Sequence, residues 1–108
     1  MNHQDYVNKT VELLRSKGWT TETEVQIPNG KGAVDIVARD RNQRMFLEIK
    51  SSPTSIKKKK VQSQLLRYYQ AFGEGHYGLV SPSAHGELEL QLTSNYRGRV
   101  IDFINNFK

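Results

Sequence analysis

The segment from residue 33 to residue 50 constrains the fold of this chain more than any other. Two stretches in it, residues 33–39 and 44–50, are strongly apolar and interrupted by charged residues, and the polar segment 40–43 separates them. Short apolar stretches of this length predict β-strands, and a short polar connection predicts a hairpin. If Arg41 and Asn42 form the turn, Asp35 lies directly opposite Glu48. A loop of three or five residues would instead shift the register by one and separate them.

The two faces of this hairpin differ in character. One face would carry only apolar side chains and would therefore belong to the core: Val34, Ile36, Ala38, Met45, Leu47 and Ile49. The other face would bring together Asp35, Glu48 and Lys50. These three share a face because residues directly opposite each other, or two apart on one strand, point the same way.

The three charged residues predict a metal-dependent hydrolytic site. Opposed carboxylates in a hairpin repel each other, and a divalent cation would offset that cost. Two carboxylates, waters and a phosphate oxygen suit Mg²⁺, for which Mn²⁺ is expected to substitute. Lys50 could orient or activate an attacking water, or stabilise charge that develops on phosphorus. The competing interpretation is a surface salt bridge, since Glu-x-Lys alone is a weak pattern.

The remaining segments predict an α/β fold. Residues 4–17 have the spacing of an amphipathic helix that ends at Gly18, residues 20–27 predict a strand, and residues 56–72 predict a helix capped by Thr54 or Ser55. Residues 76–80 predict a short strand, residues 88–92 fit a strand or a helix, and residues 100–107 predict a closing helix. The order αβββαβ predicts helices packed on a central mixed sheet, in one domain over residues 1–108.

The charge distribution favours a polyanionic partner. The net charge is +5, and four consecutive lysines fall at the predicted start of the second helix: Lys57, Lys58, Lys59 and Lys60. Positive side chains beside free backbone N–H groups can hold a phosphate, so DNA is the expected partner. On a helical wheel Lys57, Gln64 and Tyr68 share a flank that could face the metal site. The alternative is that the lysine run is only a solvated face.

Other classes of site are excluded or not supported. The chain has no cysteine, which excludes disulfides, zinc thiolate sites and cysteine-ligated iron–sulfur clusters. The three histidines, His3, His76 and His85, are too dispersed to suggest a ligand set and are interpreted as structural or exposed. Neither a signal peptide nor a run of ~20 apolar residues is apparent, so a cytoplasmic location without membrane contact is expected.

Three short motifs resemble those of the PD-(D/E)xK nuclease superfamily, which includes restriction endonucleases, archaeal Holliday junction resolvases and RecB-type nuclease domains. Two of them match its central motifs: Gly32-x-x-Asp35 and Glu48-Ile49-Lys50. The third, from Gln64 to Tyr68, resembles the Gln-x-x-x-Tyr element of RecB-like members. The resemblance implies a restriction endonuclease-like core that extends from the first helix to about Val80.

The same resemblance implies roles for individual residues. Asp35 and Glu48 would bind the metal with help from the carbonyl of Ile49, and Lys50 would act on the water. Gln64 and Tyr68 would be auxiliary residues.

One feature departs from the resolvase-like pattern. Those members carry a metal-associated glutamate on the first helix, about three turns before a Gly-aromatic pair. Counting back from Gly18-Trp19 reaches the neighbourhood of Val7 instead, and Glu12 lies on the solvent face. Glu24, on the first strand, is the remaining auxiliary candidate and would reach the site only if that strand bends.

The combined expectation is a Mg²⁺-dependent DNA endonuclease that hydrolyses phosphodiester bonds. The chain has no obvious specificity domain, so it would recognise DNA structure (a junction, branched DNA, or viral or mobile-element DNA) or depend on a protein partner for specificity. Two alternatives stay open. One is a non-catalytic DNA-binding module of the same fold. The other is a RecB-like nuclease that processes single strands or ends.

A homodimer is the expected assembly. Cleavage of two strands calls for two metal sites, and a short chain gains apolar burial from a subunit interface. The C-terminal part offers the candidate surface: Leu88, Leu90, Leu92, Ile101, Phe103, Ile104 and Phe107. The alternative is that all of these side chains pack inside the monomer.

Overall fold

The computed structural model describes residues 1–28, 30–94, 97–100 and 102. The elements, in chain order, are α1 (His3–Ser16), β1 (Thr20–Gln26), β2 (Ala33–Asp40), β3 (Gln43–Ile49), α2 (Lys59–Phe72), β4 (His76–Pro82), β5 (Leu88–Leu92) and β6 (Arg97–Arg99). Within the described part, the strands form one sheet in the order β1-β2-β3-β4-β5-β6. The β3–β4 pair is parallel and the other neighbouring pairs are antiparallel. Helix α2 makes the crossover that a parallel pair requires.

The two helices cover opposite faces of the sheet. Leu14 of α1 packs in one cluster with Ile36 and Leu47, whereas Leu65 of α2 packs in another with Phe46. Neighbouring residues of a strand point to opposite faces, so β3 contributes Phe46 to one cluster and Leu47 to the other. The prediction of an α/β fold with helices flanking a mixed sheet is confirmed.

The hairpin of β2 and β3 has the predicted register. Ile36 pairs with Leu47, and the pairing continues to Asp40 and Gln43, which leaves a two-residue turn. Arg41 in that turn has a φ of 47°, a left-handed value that tight hairpin turns require.

The predicted apolar face of the hairpin is right except at Val34. This side chain belongs to the α2 cluster, together with that of its partner Val25. Glu24, next to Val25 on β1, has a φ of 51° and interrupts the regular alternation at this end of the sheet. The strand pair therefore changes the face to which its apolar side chains point.

The predicted start of α2 is wrong. The helix begins at Lys59, its N-cap is Lys58, and neither Thr54 nor Ser55 caps it. The buried side chain of Gln91, on β5, accepts a hydrogen bond from the Ile56 backbone N–H at 3.0 Å and donates to the Thr54 carbonyl at 2.8 Å. Because these backbone groups are bound to Gln91, the segment before Lys59 stays outside the helix.

The C-terminal part decides whether residues 88–92 form a strand or a helix, and it corrects the predicted subunit interface. Residues 88–92 form strand β5, between β4 and the short β6, which was not predicted. Leu90 and Leu92 are buried in the core, so they are not available to a subunit interface, and Leu88 packs partly against the same core. Of the other proposed interface residues, Ile101, Phe103, Ile104 and Phe107 lie outside the described residues, as does most of the predicted closing helix.

No helix in the described ranges is both long enough and apolar enough to cross a membrane.

Candidate active site

The charged face of the β2–β3 hairpin forms a compact polar cluster. Asp35 precedes Ile36 on β2 and Glu48 follows Leu47 on β3, so both lie next to the Ile36–Leu47 pair, on the side away from the turn. Asp35 Oδ2 accepts a hydrogen bond from the Ile49 backbone N–H at 2.8 Å. Glu48 Oε2 lies 3.4 Å from Lys50 Nζ. The structure therefore brings together the two carboxylates and the lysine that the sequence placed on one face.

Helix α2 adds Tyr68 to this cluster. The Tyr68 hydroxyl donates a hydrogen bond of 2.8 Å to Glu48 Oε1. Burial, followed by the nearby charge of Glu48, raises the pKa of the Tyr68 phenol, so the hydroxyl stays protonated and remains a donor. Tyr68 thus fixes one oxygen of Glu48 and leaves the other beside Lys50.

The electrostatics of the cluster are unfavourable without a cation. Glu48 is only 7% exposed, and its burial is the main cause that raises its pKa above the usual value of 4.5. Repulsion from Asp35 raises the pKa further, while the Tyr68 hydrogen bond and the charge of Lys50 partly counteract the rise. A buried carboxylate with a second carboxylate beside it is an arrangement that a bound divalent cation would relieve.

This electrostatic cost predicts that Glu48→Gln stabilises the metal-free protein. A raised carboxyl pKa means that the folded state holds the proton more tightly, so the contribution of Glu48 to stability falls as the pH rises above about 4.5. We therefore expect a higher melting temperature for Glu48→Gln in EDTA near pH 8, and a smaller difference as the pH falls through 4.5. Thermal melts of both proteins over this pH range measure the difference in melting temperature near pH 8 and its decrease at lower pH.

Glu12→Gln is the matched control for this experiment, because Glu12 is exposed on α1 and its replacement should leave the melting temperature unchanged. A Glu48→Gln variant that melts below the wild type near pH 8 would contradict the assignment of electrostatic cost to Glu48.

Helix α1 contributes a residue that the sequence interpretation missed. His3 Nε2 lies 3.3 Å from Asp35 Oδ2, although His3 was interpreted as structural or exposed. A capping box between Asn2 and Asp5 fixes the start of α1 and thereby places His3 in the first helical turn. The Asn2-x-x-Asp5 pattern was the available signal in the sequence. The position near Val7, where the resolvase-like pattern would have its glutamate, is buried in the core.

The residues that could hold a metal are therefore few. Asp35 and Glu48 are the carboxylate candidates, and the imidazole of His3 is an addition. The role of the Ile49 carbonyl stays a prediction. Among the described residues, no group of three or more His, Cys, Asp and Glu side chains is arranged around one point. A cation here would need water and phosphate oxygens to complete its shell. Mg²⁺ binds in this manner.

The remaining auxiliary candidates differ in their surroundings. Gln64, one turn before Tyr68 on α2, has its side-chain oxygen buried, and this oxygen has no hydrogen-bond partner in the described part of the chain. A buried acceptor of this kind suits a bound water or ligand. Glu24 lies on β1 between the residues that pair with Val34 and Ile36, but its side chain is exposed. The auxiliary roles of Gln64 and Glu24 stay predictions.

The lysine run lies partly outside the helix. Lys57 is in the turn before α2, Lys58 is the N-cap, and Lys59 and Lys60 occupy the first turn, all four exposed. Because Lys57 precedes the helix, it does not share a helical flank with Gln64 and Tyr68, and that prediction is wrong. Lys57 and Lys59 instead line a groove beside Tyr69.

Comparison with known proteins identifies the fold. A scan against protein-family models and a search of curated proteins give no match. Among solved structures, the chain is similar to Hjc from Archaeoglobus fulgidus, a Holliday junction resolvase from an archaeal hyperthermophile. The TM-score is 0.62 at 14% sequence identity, and the match covers 93% of this chain and 92% of that chain. This likeness confirms the restriction endonuclease-like α/β fold that the resemblance to PD-(D/E)xK nucleases implied.

Proposed function

We propose that this protein is a metal-dependent DNA endonuclease, with Mg²⁺ as its cofactor and Mn²⁺ as a substitute. The observation that carries the proposal is the buried carboxylate Glu48, which lies beside Asp35 and 3.4 Å from Lys50 Nζ. The similarity in fold to a Holliday junction resolvase supports a nuclease over other uses of the same cluster.

Each residue of the cluster has a distinct task in this mechanism. Asp35, Glu48 and the Ile49 carbonyl would hold the cation, which would supply Lewis-acid activation of the phosphate and of an attacking water. Tyr68 and the Ile49 backbone N–H each fix one carboxylate oxygen, so the two carboxylates are oriented before the cation binds. Lys50, whose side chain is 31% exposed, can reach an attacking water or the phosphate.

A cleavage assay with and without metal tests this proposal. A four-way junction, a linear duplex of the same sequence and a single strand would each be incubated with the protein in Mg²⁺ or in EDTA. We expect cleavage in Mg²⁺, none in EDTA, and recovery when excess Mg²⁺ is added back. If the protein binds these DNAs but cuts none of them in either Mg²⁺ or Mn²⁺, the non-catalytic binding module becomes the better description.

We propose branched DNA as the preferred substrate class, on the strength of the fold comparison with a junction resolvase. The RecB-like alternative has one observation in its favour, because Tyr68 of the Gln-x-x-x-Tyr element contacts Glu48 directly. End-labelled substrates separate the two. Paired nicks near the crossover indicate junction cleavage, whereas progressive shortening from a free end indicates end processing. A protein partner that supplies specificity stays a prediction.

We also expect the protein to form a homodimer, because two strands of a junction require two metal sites that face two backbones. Leu90 and Leu92 are buried within the chain and cannot supply the interface. The part that the other C-terminal residues play in it stays a prediction. Light scattering at micromolar concentration should give twice the chain mass of 12.4 kDa. A mass near 12.4 kDa would contradict the dimer and favour nicking or end processing of single strands.

A further inference from the structure

A groove runs along the flank of α2 that faces β4 and β5. Its volume is about 690 Å³, and we call it the Tyr69 groove after one of the residues that line it. The residues that matter for its chemistry are Lys57, Lys59, Leu66, Tyr69, Tyr77 and Thr93. Successive helix residues are 100° apart, so Tyr68 is directed to Glu48 while Tyr69 faces this groove. One helix thus presents neighbouring tyrosines to the candidate active site and to the Tyr69 groove.

The apolar walls of the groove are exposed to an unusual degree. Tyr69 is 56% exposed and Leu66 is 55% exposed. Among the described residues, Met1 is the other large apolar residue with an exposed side chain. The Tyr69 ring is edge-on to Tyr77, with centroids 5.7 Å apart and planes at 80°. This contact holds the Tyr69 ring while much of its surface stays open to solvent.

The charge around the groove is of one sign. Lys57 and Lys59 line it, Lys58 and Lys60 are exposed next to them, and no acidic side chain lines it within the described ranges. An anionic occupant complements this surface. A second copy of the chain is disfavoured, because a two-fold contact here would bring the lysines of both copies together.

We propose that the Tyr69 groove binds an unpaired stretch of single-stranded DNA, with a base stacked on Tyr69 and its phosphates on Lys57 and Lys59. Aromatic platforms beside positive side chains bind single strands in this way, without sequence preference. This inference deepens the proposed nuclease function and rests on it for the identity of the partner. It narrows the substrate class to DNA in which duplex and unpaired strands meet, such as forks, flaps and opened junctions.

The test measures binding without cleavage. Fluorescence anisotropy in EDTA would compare a labelled oligothymidylate with a blunt duplex for the wild type, Tyr69→Ala and Tyr69→Phe. We expect Tyr69→Ala to weaken oligothymidylate binding about tenfold or more, with duplex affinity nearly unchanged, and Tyr69→Phe to resemble the wild type. The double variant Lys57→Gln, Lys59→Gln should reduce the salt slope for the single strand by about 0.7 per lysine.

Tyr69→Leu is the control for a loss of stability. It keeps an apolar contact with Tyr77 but offers no aromatic face on which a base could stack. It should bind like Tyr69→Ala while melting close to the wild type. Unchanged oligothymidylate affinity in Tyr69→Ala overturns the proposal, as does an equal loss on duplex DNA. A change from dimer to monomer in Tyr69→Ala also overturns it, because the groove would then be a self-interface.

The outcome is separable from that of the nuclease proposal. If oligothymidylate binding depends on Tyr69 but the wild type cleaves nothing in Mg²⁺, the groove assignment is supported and the nuclease assignment fails. If the wild type cleaves DNA and Tyr69→Ala binds oligothymidylate normally, the nuclease assignment stands and the groove assignment is overturned.

Discussion

Glu48→Ala is expected to reduce phosphodiester cleavage by about a thousandfold or more while DNA binding largely survives. The change removes a carboxylate that would hold the cation and leaves the Tyr68 hydroxyl and the Lys50 ammonium without their shared partner. Asp35→Ala should have a comparable effect, since Asp35 is the opposing carboxylate. Single-turnover cleavage of the preferred DNA in Mg²⁺ gives the rate, and anisotropy in EDTA gives the affinity.

Lys50→Ala separates metal binding from the chemical step. It leaves both carboxylates in place, so Mn²⁺ affinity should persist while cleavage is lost to a similar degree. Glu12→Ala, at an exposed acidic position on α1, is the control and should cut like the wild type. Wild-type turnover in Glu48→Ala would show that the site has been assigned wrongly.

The second large effect is expected on DNA affinity when Lys57, Lys58, Lys59 and Lys60 are all replaced by glutamine. All four side chains are exposed around the start of α2, where they are free to contact phosphates. Each phosphate contact that is lost should lower the slope of log K against log salt by about 0.9 on duplex DNA, so the four together would cost roughly tenfold or more in affinity at low salt. The loss should be equal for unrelated sequences, because phosphates carry no sequence information.

A matched control removes the same charge elsewhere. Lys9, Lys17, Lys31 and Arg41 are also exposed, and replacing them by glutamine lowers the net charge by the same amount. We expect this variant to retain most of the salt slope. If both variants lose the same slope, or if the slope of the first variant is unchanged, the lysine run does not contact the DNA backbone.

What the sequence determined by itself is the hairpin and the polar face it carries. Once Arg41 and Asn42 are taken as the turn, the register of the two strands follows, and a period of two then predicts which side chains share a face. Asp35, Glu48 and Lys50 could be placed together for this reason, without reference to any other part of the chain. The order of helices and strands up to β4 could likewise be predicted, because each element carries its own pattern of apolar residues.

Only the tertiary structure decided what depends on distant contacts. Gln91 binds the backbone of Ile56 across 35 positions of the sequence and so determines where α2 begins. His3 reaches Asp35 across 32 positions. The segment 88–92, which fits a strand or a helix by pattern, is a strand because β4 and β6 bind it on both sides. Local periodicity encodes which face of a helix or strand is apolar. It does not encode which other element packs on that face, or which distant residue contacts the end of the element.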